Sequence, residues 1–128
     1  MLMLEIGIKG TEETVVTEAL TAKAMGSGEL PVYATPAMAA LIEETAWRSV
    51  APALEPGRGT VGMKLEISHL AATSPGRKVR CETILTEIDR RRLVFSAQVW
   101  DEAGKIGEGT HERFIVDNER FLAKADAR

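Results

Sequence analysis

The chain has 128 residues, with 16 Lys and Arg against 19 Asp and Glu for a formal charge of −3, and it is 45% hydrophobic and 5% aromatic. That length is one domain, residues 1–128, able to hide roughly two-thirds of its unfolded surface in a core that needs no disulfide. The acidic balance and scarce aromatics exclude a general nucleic-acid binder, and no run approaches the ~18 apolar residues of a membrane span. Cys81 is the sole cysteine, which removes disulfide frameworks, CxxC redox pairs and thiolate zinc sites and fits a reducing, cytoplasmic setting. The opening MLMLEIGIKG has no basic region before its apolar residues and is interrupted by Glu5, so it does not read as a secretory signal.

Residues Thr14 to Ala22, with Val15, Val16 and Thr17, predict a strand. The loop Gly26-Ser27-Gly28-Glu29-Leu30-Pro31 follows as a candidate lid or wall. Thr35-Pro36 then opens a helix to Val50, with Thr35 as its cap and Pro36 in the first helical position. At 100° per residue, Ala39, Ile42, Ala46, Ser49 and Val50 share one side, Glu44 and Arg48 point away, and Glu43 falls inside the apolar stripe. Pro52, Pro56, Gly57 and Gly59 end the helix.

From there the hydrophobic period is two. Thr60 to Ala71 places Val61, Met63, Leu65, Ile67 and His69 on one face, and Thr73-Ser74-Pro75-Gly76 turns the chain. Lys78 to Ile88, Arg92 to Asp101 and Ile106 to Val116 follow as strands, joined by short connections that imply antiparallel pairing of successive strands. The tail 118–128 is a short helix or frays. The elements sum to an α+β fold, one long helix packed against an antiparallel sheet of about five strands. One helix cannot cover five strands, so a homodimer is expected from this pattern alone.

Five places can carry chemistry. Glu43, in an apolar stripe, must be paired, hydrogen-bonded or protonated, unless the helix edge lets it reach solvent. His69 sits on an apolar strand face and is either a satisfied core histidine or an imidazole working near neutral pH. His111 has a weaker claim, since it lies off the core side if Phe114 and Val116 mark that side with Ile106. Thr35 as a cap contributes about 1 kcal/mol, and its position at a helix start also suits an anion or polarised carbonyl. Arg90, Arg91 and Arg92 form either a solvated hairpin or a phosphate contact. Two histidines 42 positions apart give no metal-ligand spacing, and GxxxxGK[ST], GxGxxG and GxSxG motifs are absent.

From about Val32 to Phe121 the chain resembles the small hotdog-fold acyl-CoA thioesterases, most nearly the branch that includes fluoroacetyl-CoA thioesterase. The resemblance rests on Tyr33-Ala34-Thr35-Pro36 through Glu43, Leu54-Glu55-Pro56-Gly57-Arg58-Gly59-Thr60-Val61-Gly62, His69-Leu70-Ala71-Ala72-Thr73, Arg91-Arg92-Leu93 and Ile106-Gly107-Glu108-Gly109-Thr110-His111-Glu112-Arg113. It implies a hotdog fold, sheets joined in a homodimer, and active sites at the dimer interface; whether dimers pair further into a tetramer stays open. It also implies hydrolysis of a small or medium acyl-CoA, with coenzyme A as part of the substrate and no separate cofactor or metal. The family's catalytic trio falls on Thr35, Glu43 and His69, with Gly62 beside the acyl group. Leu30, Tyr33, Met38 and Met63 are the expected pocket walls, and Arg90, Arg91 and Arg92 the expected phosphate partners. The loop 26–31 carries none of the phenylalanines that close over the acyl group in the fluoroacetyl-specific enzyme, which points to another acyl chain. The alternatives are a non-catalytic acyl-CoA binding module and a hotdog dehydratase or hydratase, whose histidine ordinarily precedes or lies within the helix.

Overall fold

The computed structural model describes residues 3–128. Five strands, β1 (Lys9–Val15), β2 (Arg58–His69), β3 (Lys78–Asp89), β4 (Arg92–Asp101) and β5 (Gly104–Asp117), form one antiparallel sheet in the order β1-β3-β4-β5-β2. The short helix α1 (Ala22–Met25) and the long helix α2 (Thr35–Val50) precede β2, and α3 (Asn118–Asp126) closes the chain. The long helix crosses one face of the sheet, burying Ala37, Met38, Leu41, Ile42, Thr45, Ala46 and Val50. Burial of each large apolar side chain here contributes on the order of 2 kcal/mol. Against it lie Val79, Cys81 and Leu85 of β3 and Leu93, Phe95, Ala97 and Val99 of β4, all almost wholly enclosed.

The helix matches its predicted span, but its buried stripe is turned slightly from the expected one, so Glu43 stands at the edge of that stripe. The first strand differs from expectation. Strand β1 occupies Lys9–Val15 rather than 14–22, and a 3-10 turn at Glu18–Leu20 and α1 take the following residues. Its sequence, KGTEETV, lacks an apolar alternation because it is an edge strand held by its ladder to β3. Gly10 fits beneath α2, where a Cβ would lie 2.7 Å from the Thr45 carbonyl oxygen and 2.8 Å from Ser49 Cβ. Gly10 therefore marks a close approach of strand to helix. The tail is a helix whose cap is the Asp117 carboxylate, accepting from the Arg120 amide.

Successive strands β2 and β3 are not neighbours. Instead β2 pairs with β5, His69 opposite Gly107 and Val61 opposite Phe114, and its other edge is free. Irregularities in β2 and β5 reset which of their side chains face the helix. In β2, Met63 is the extra residue between Gly62 and Lys64, so Gly62 faces α2 together with Leu65, Ile67 and His69, while Met63 is exposed. In β5, Ile106 is the extra residue between the Trp100 and Val99 pairings. The odd-numbered side from Gly107 to Ile115 consequently faces the core, which reverses the reading of the last strand: His111 is 1% exposed and Phe114 39%.

Gly109 lies where β2 passes closest, for a Cβ there would sit 2.1 Å from the Glu66 carbonyl oxygen. Gly109→Ala is expected to cost about 1–3 kcal/mol by overpacking, read as a lower urea midpoint; a variant as stable as wild type would show that β2 is not held at this register.

Candidate active site

Two clusters form along β2, one at each half of the strand. At the first, α2 begins with Thr35 as a helical residue and Ala34 as the cap position, with no side-chain capping bond. Thr35 is thus not the expected cap, and its hydroxyl is free for another partner. It lies 2.8 Å from His69 Nδ1; with the hydroxyl as donor, the proton of the neutral imidazole sits on Nε2. That Nε2 is enclosed and has no hydrogen-bond partner among the described residues. Burial lowers the His69 pKa below its ordinary value, and interaction of the ring with the Ala71 backbone carbonyl opposes part of the shift.

Tyr33 fixes this end. Its amide donates to the Thr73 carbonyl and the next amide, Ala34, donates to the Leu20 carbonyl, both at 2.8–2.9 Å. Its ring meets His69 edge-on, centroids 6.2 Å apart. The Tyr33 phenol is enclosed without a partner among the described residues, and burial, with nearby Cys81, pushes its pKa up. A cavity of about 350 Å³ opens here, lined by Ala22, Ser27, Tyr33, Thr35, His69 and Ala72 among others, within the range of small-ligand sites. Of the other expected walls, Leu30 is 65% exposed, Met38 is wholly buried in the core and Met63 belongs to the second cluster.

At the second cluster Glu43 lies over Gly62, where a Cβ would fall 2.5 Å from Glu43 Oε2. The Glu43 side chain is 45% exposed and pairs with Arg113 Nη1 at 3.3 Å. Arg113 is nearly enclosed, and its Nε and Nη2 donate to the Thr60 hydroxyl and carbonyl at 2.8 and 2.9 Å. Its Nη1 also donates to His111 Nε2 at 3.1 Å, while His111 Nδ1 donates to the Lys64 carbonyl at 2.8 Å. Burial lowers the Arg113 pKa, with Glu43 opposing; burial also lowers His111, the Lys64 backbone opposing and Arg113 adding to it.

Thr35 and Glu43 are eight residues apart on α2, about 12 Å of helical rise. His69 and Gly62 are seven apart on β2, about 20 Å of strand. One chain therefore joins Thr35 to His69 and Glu43 to Gly62, and does not bring the two pairs together. The Arg90–Arg92 hairpin lies at the Gly62 end of the sheet, since Arg92 pairs with Phe114 and Phe114 with Val61. There Arg92 is bonded to Glu112 and Glu87, and Arg90 holds a left-handed φ of 58°. Reading the residues singly left out Arg113 and undervalued His111. The available signal was Glu43 itself, because a carboxylate on an apolar stripe needs a cation facing it from the sheet.

The family model for fluoroacetyl-CoA-specific thioesterase matches residues 16–119. The chain belongs to this family. It is accordingly an acyl-CoA thioesterase, a hydrolase of acyl-CoA thioesters. A fluoroacetyl-CoA thioesterase of Streptantibioticus cattleyicolor is 41% identical over 93 residues, 73% of this chain and 67% of the relative. A solved fluoroacetyl-CoA thioesterase structure overlays with a TM-score of 0.91 at 34% identity, covering 98% of this chain and 97% of that one. A Thermus thermophilus protein, described as a thioesterase superfamily member, overlays at 0.90 with 29% identity and 99% and 94% coverage. A hot-dog-like protein of Thermanaerovibrio acidaminovorans, 22% identical with a TM-score of 0.88 over 96% of this chain and 91% of that one, shares the hotdog fold.

The thioesterase also has a pH signature. Both imidazoles have folded pKa values below 6.5, so the unfolded chain binds more protons as pH falls through that value, and the stability they give above it is lost. The melting temperature is expected to drop as pH falls below about 6.5, and a double His69→Asn, His111→Asn variant should lose that limb while keeping the carboxylate limb at lower pH.

Proposed function

We propose that this thioesterase cleaves a short or medium acyl-CoA in a site shared by two subunits, with Thr35 and His69 from one and Glu43 from the other. The observation that carries the reading is the Thr35 hydroxyl on His69 Nδ1 at 2.8 Å with the opposite ring nitrogen buried and unpaired. A nucleophile bonded to a base whose far N–H awaits an acceptor is the arrangement of nucleophilic acyl transfer, lacking only the group that orients the base.

The free edge of β2 supplies a way to complete it. Antiparallel pairing of two β2 edges about a two-fold axis at Leu65–Glu66 sets His69 opposite Gly62 of the partner subunit. Glu43 of the partner subunit then comes with it to accept from Nε2. Such pairing also removes an exposed edge of 12 residues. Thr35 Oγ1 attacks the thioester carbonyl carbon as His69 Nδ1 takes its proton, the C–S bond breaks, and the CoA thiolate leaves with that proton. Water then attacks the acyl-threonine by the same proton route and releases the acid. The uncapped first turn of α2 offers amides and a positive dipole end to the developing oxyanion. Attack by Glu43 itself would use the same groups; the direct hydroxyl–imidazole bond favours Thr35.

The same two-fold carries the partner's Arg90 and Arg91 toward the cavity at His69, where their guanidinium groups suit the phosphates of coenzyme A. Neither has a carboxylate partner among the ion pairs of the described residues. The buried Cys81 thiol, pushed up to about 11 chiefly by burial, is unreactive and consistent with a reducing, cytoplasmic setting. The loop 26–31, without an aromatic residue, leaves the cavity mouth wide enough for acyl groups larger than the fluoroacetyl named in the relatives.

Thiol release should be measured across fluoroacetyl-, acetyl-, branched, medium-chain and aromatic acyl-CoAs. His69→Ala is expected to lose ~10²–10⁴-fold in kcat, and Glu43→Gln to fall strongly as well. Mixing the two inactive variants should restore part of the activity, because a mixed dimer holds one site with Thr35, His69 and Glu43 all intact. Silence across the panel would favour an acyl-CoA binding module, and failure to complement would place Glu43 and His69 in separate functions. Charge reversal at Arg91 is expected to raise KM for acyl-CoA but leave KM for the N-acetylcysteamine thioester unchanged.

A further inference from the structure

The geometry points to His111 as a positioning residue that aims the Arg113 guanidinium at Glu43 through its Nε2 lone pair. The inference rests on the proposed catalytic role of Glu43. It starts from the fact that Glu43 is held by one nitrogen. Arg113 Nη1 carries two N–H groups; one meets Glu43 Oε2 at 3.3 Å and the other His111 Nε2 at 3.1 Å. The remaining grip on Arg113, from Thr60 alone, holds only the Nε–Nη2 edge of the planar guanidinium; the plane can still tilt about that edge, and His111 Nε2 is the third point that stops the tilt and so fixes where Nη1 meets Glu43.

His111 is equipped for this task. Its Nδ1 donates to the Lys64 carbonyl, and that carbonyl stands where it does because Met63 bulges out of β2. The bond to Lys64 fixes the proton on Nδ1 and the lone pair on Nε2, so Arg113 meets an acceptor and not a second donor. The charged and titratable groups around the ring are Arg113 and Glu112 on β5, the Lys64 backbone on β2 and Glu43 on α2; β4 contributes only the Phe95 ring, 6.3 Å away centroid to centroid. Gly62 closes the arrangement from below, because any side chain there would press on Glu43 Oε2, on Arg113 Nη1 and on the His111 ring. Three residues and one backbone carbonyl thus form a single relay, Lys64 carbonyl, His111, Arg113 and Glu43, of which His111 alone has both a donor and an acceptor to contribute.

Three replacements separate aiming from packing. Phe keeps the ring volume and loses both hydrogen bonds, Asn keeps a donor within reach of Lys64 but offers Arg113 no acceptor, and Gln keeps an acceptor within reach of Arg113. Positioning predicts that His111→Phe and His111→Asn lower kcat about tenfold or more through misplacement of Glu43, with KM within about twofold, and that His111→Gln stays within about threefold of wild-type kcat. Should the Phe protein fail to fold, the Asn and Gln pair makes the same comparison. A packing role reverses the order, Phe being the best tolerated; that order, or equal kcat in all three, overturns the proposal. Glu43→Gln is run alongside: full activity there removes the underlying reading, whereas an inactive Glu43→Gln beside a fully active His111→Phe removes only the role of His111.

Discussion

The single extra residue at Met63 is the constraint on which the second cluster depends. Without it, strict alternation would put Val61 and Met63 beneath α2 with Leu65, and Gly62 on the outer face. With it, Gly62 turns inward under Glu43, Thr60 turns inward to hold Arg113, and the Lys64 carbonyl is left for His111. A bulge costs one pairing in the ladder, and here it re-aims Gly62, Thr60 and the Lys64 carbonyl at once. The stability that offsets the local loss comes from the long β2–β5 ladder on either side of it.

Arg113 shows how the fold manages a charge almost out of water. An uncompensated guanidinium at that depth would cost several kcal/mol, and the cost is met by bonds from four of its N–H groups, to Thr60 twice, to His111 and to Glu43. Only the last of these is a charge, and it is the one that half faces solvent. The cluster is therefore polar and rigid on its inner side and available on its outer side. The Thr35–His69 pair has the complementary arrangement, an exposed hydroxyl backed by an enclosed imidazole nitrogen.

Where local periodicity decides structure, residue patterns alone were sufficient. The long helix spans Thr35–Val50 and β4 spans Arg92–Asp101 as expected, and β3 extends one residue beyond its predicted end. What escaped was set by pairing. An unpaired residue at Met63 or Ile106 leaves no trace in the order of apolar and polar residues, yet each inverts the faces beyond it. That is why His111 read as an outward residue and Arg113 drew no reading of its own. Strand β1 escaped because its ladder to β3 and the space under α2, not hydrophobic side chains, hold it in place. The resemblance supplied Thr35, Glu43 and His69 together, and the coordinates divide them into two clusters on one chain.

The loop from Gly26 to Pro31 hangs on its own local bonds, Ser27 to the Ala22 carbonyl and Lys23 to the Leu30 carbonyl. The start of α2 hangs on others, through Tyr33 and Ala34 to Thr73 and Leu20. Apart from the Ala22 amide on the Val32 carbonyl and the Thr21–Tyr33 bridge at the base of the loop, the part of the molecule that borders the cavity mouth and the part that presents the hydroxyl are thus anchored by separate bonds. Such modularity lets the loop lengthen, shorten or acquire bulky residues while the reacting atoms keep their places, so a lineage built on this scaffold can exchange one acyl group for another without rebuilding its chemistry.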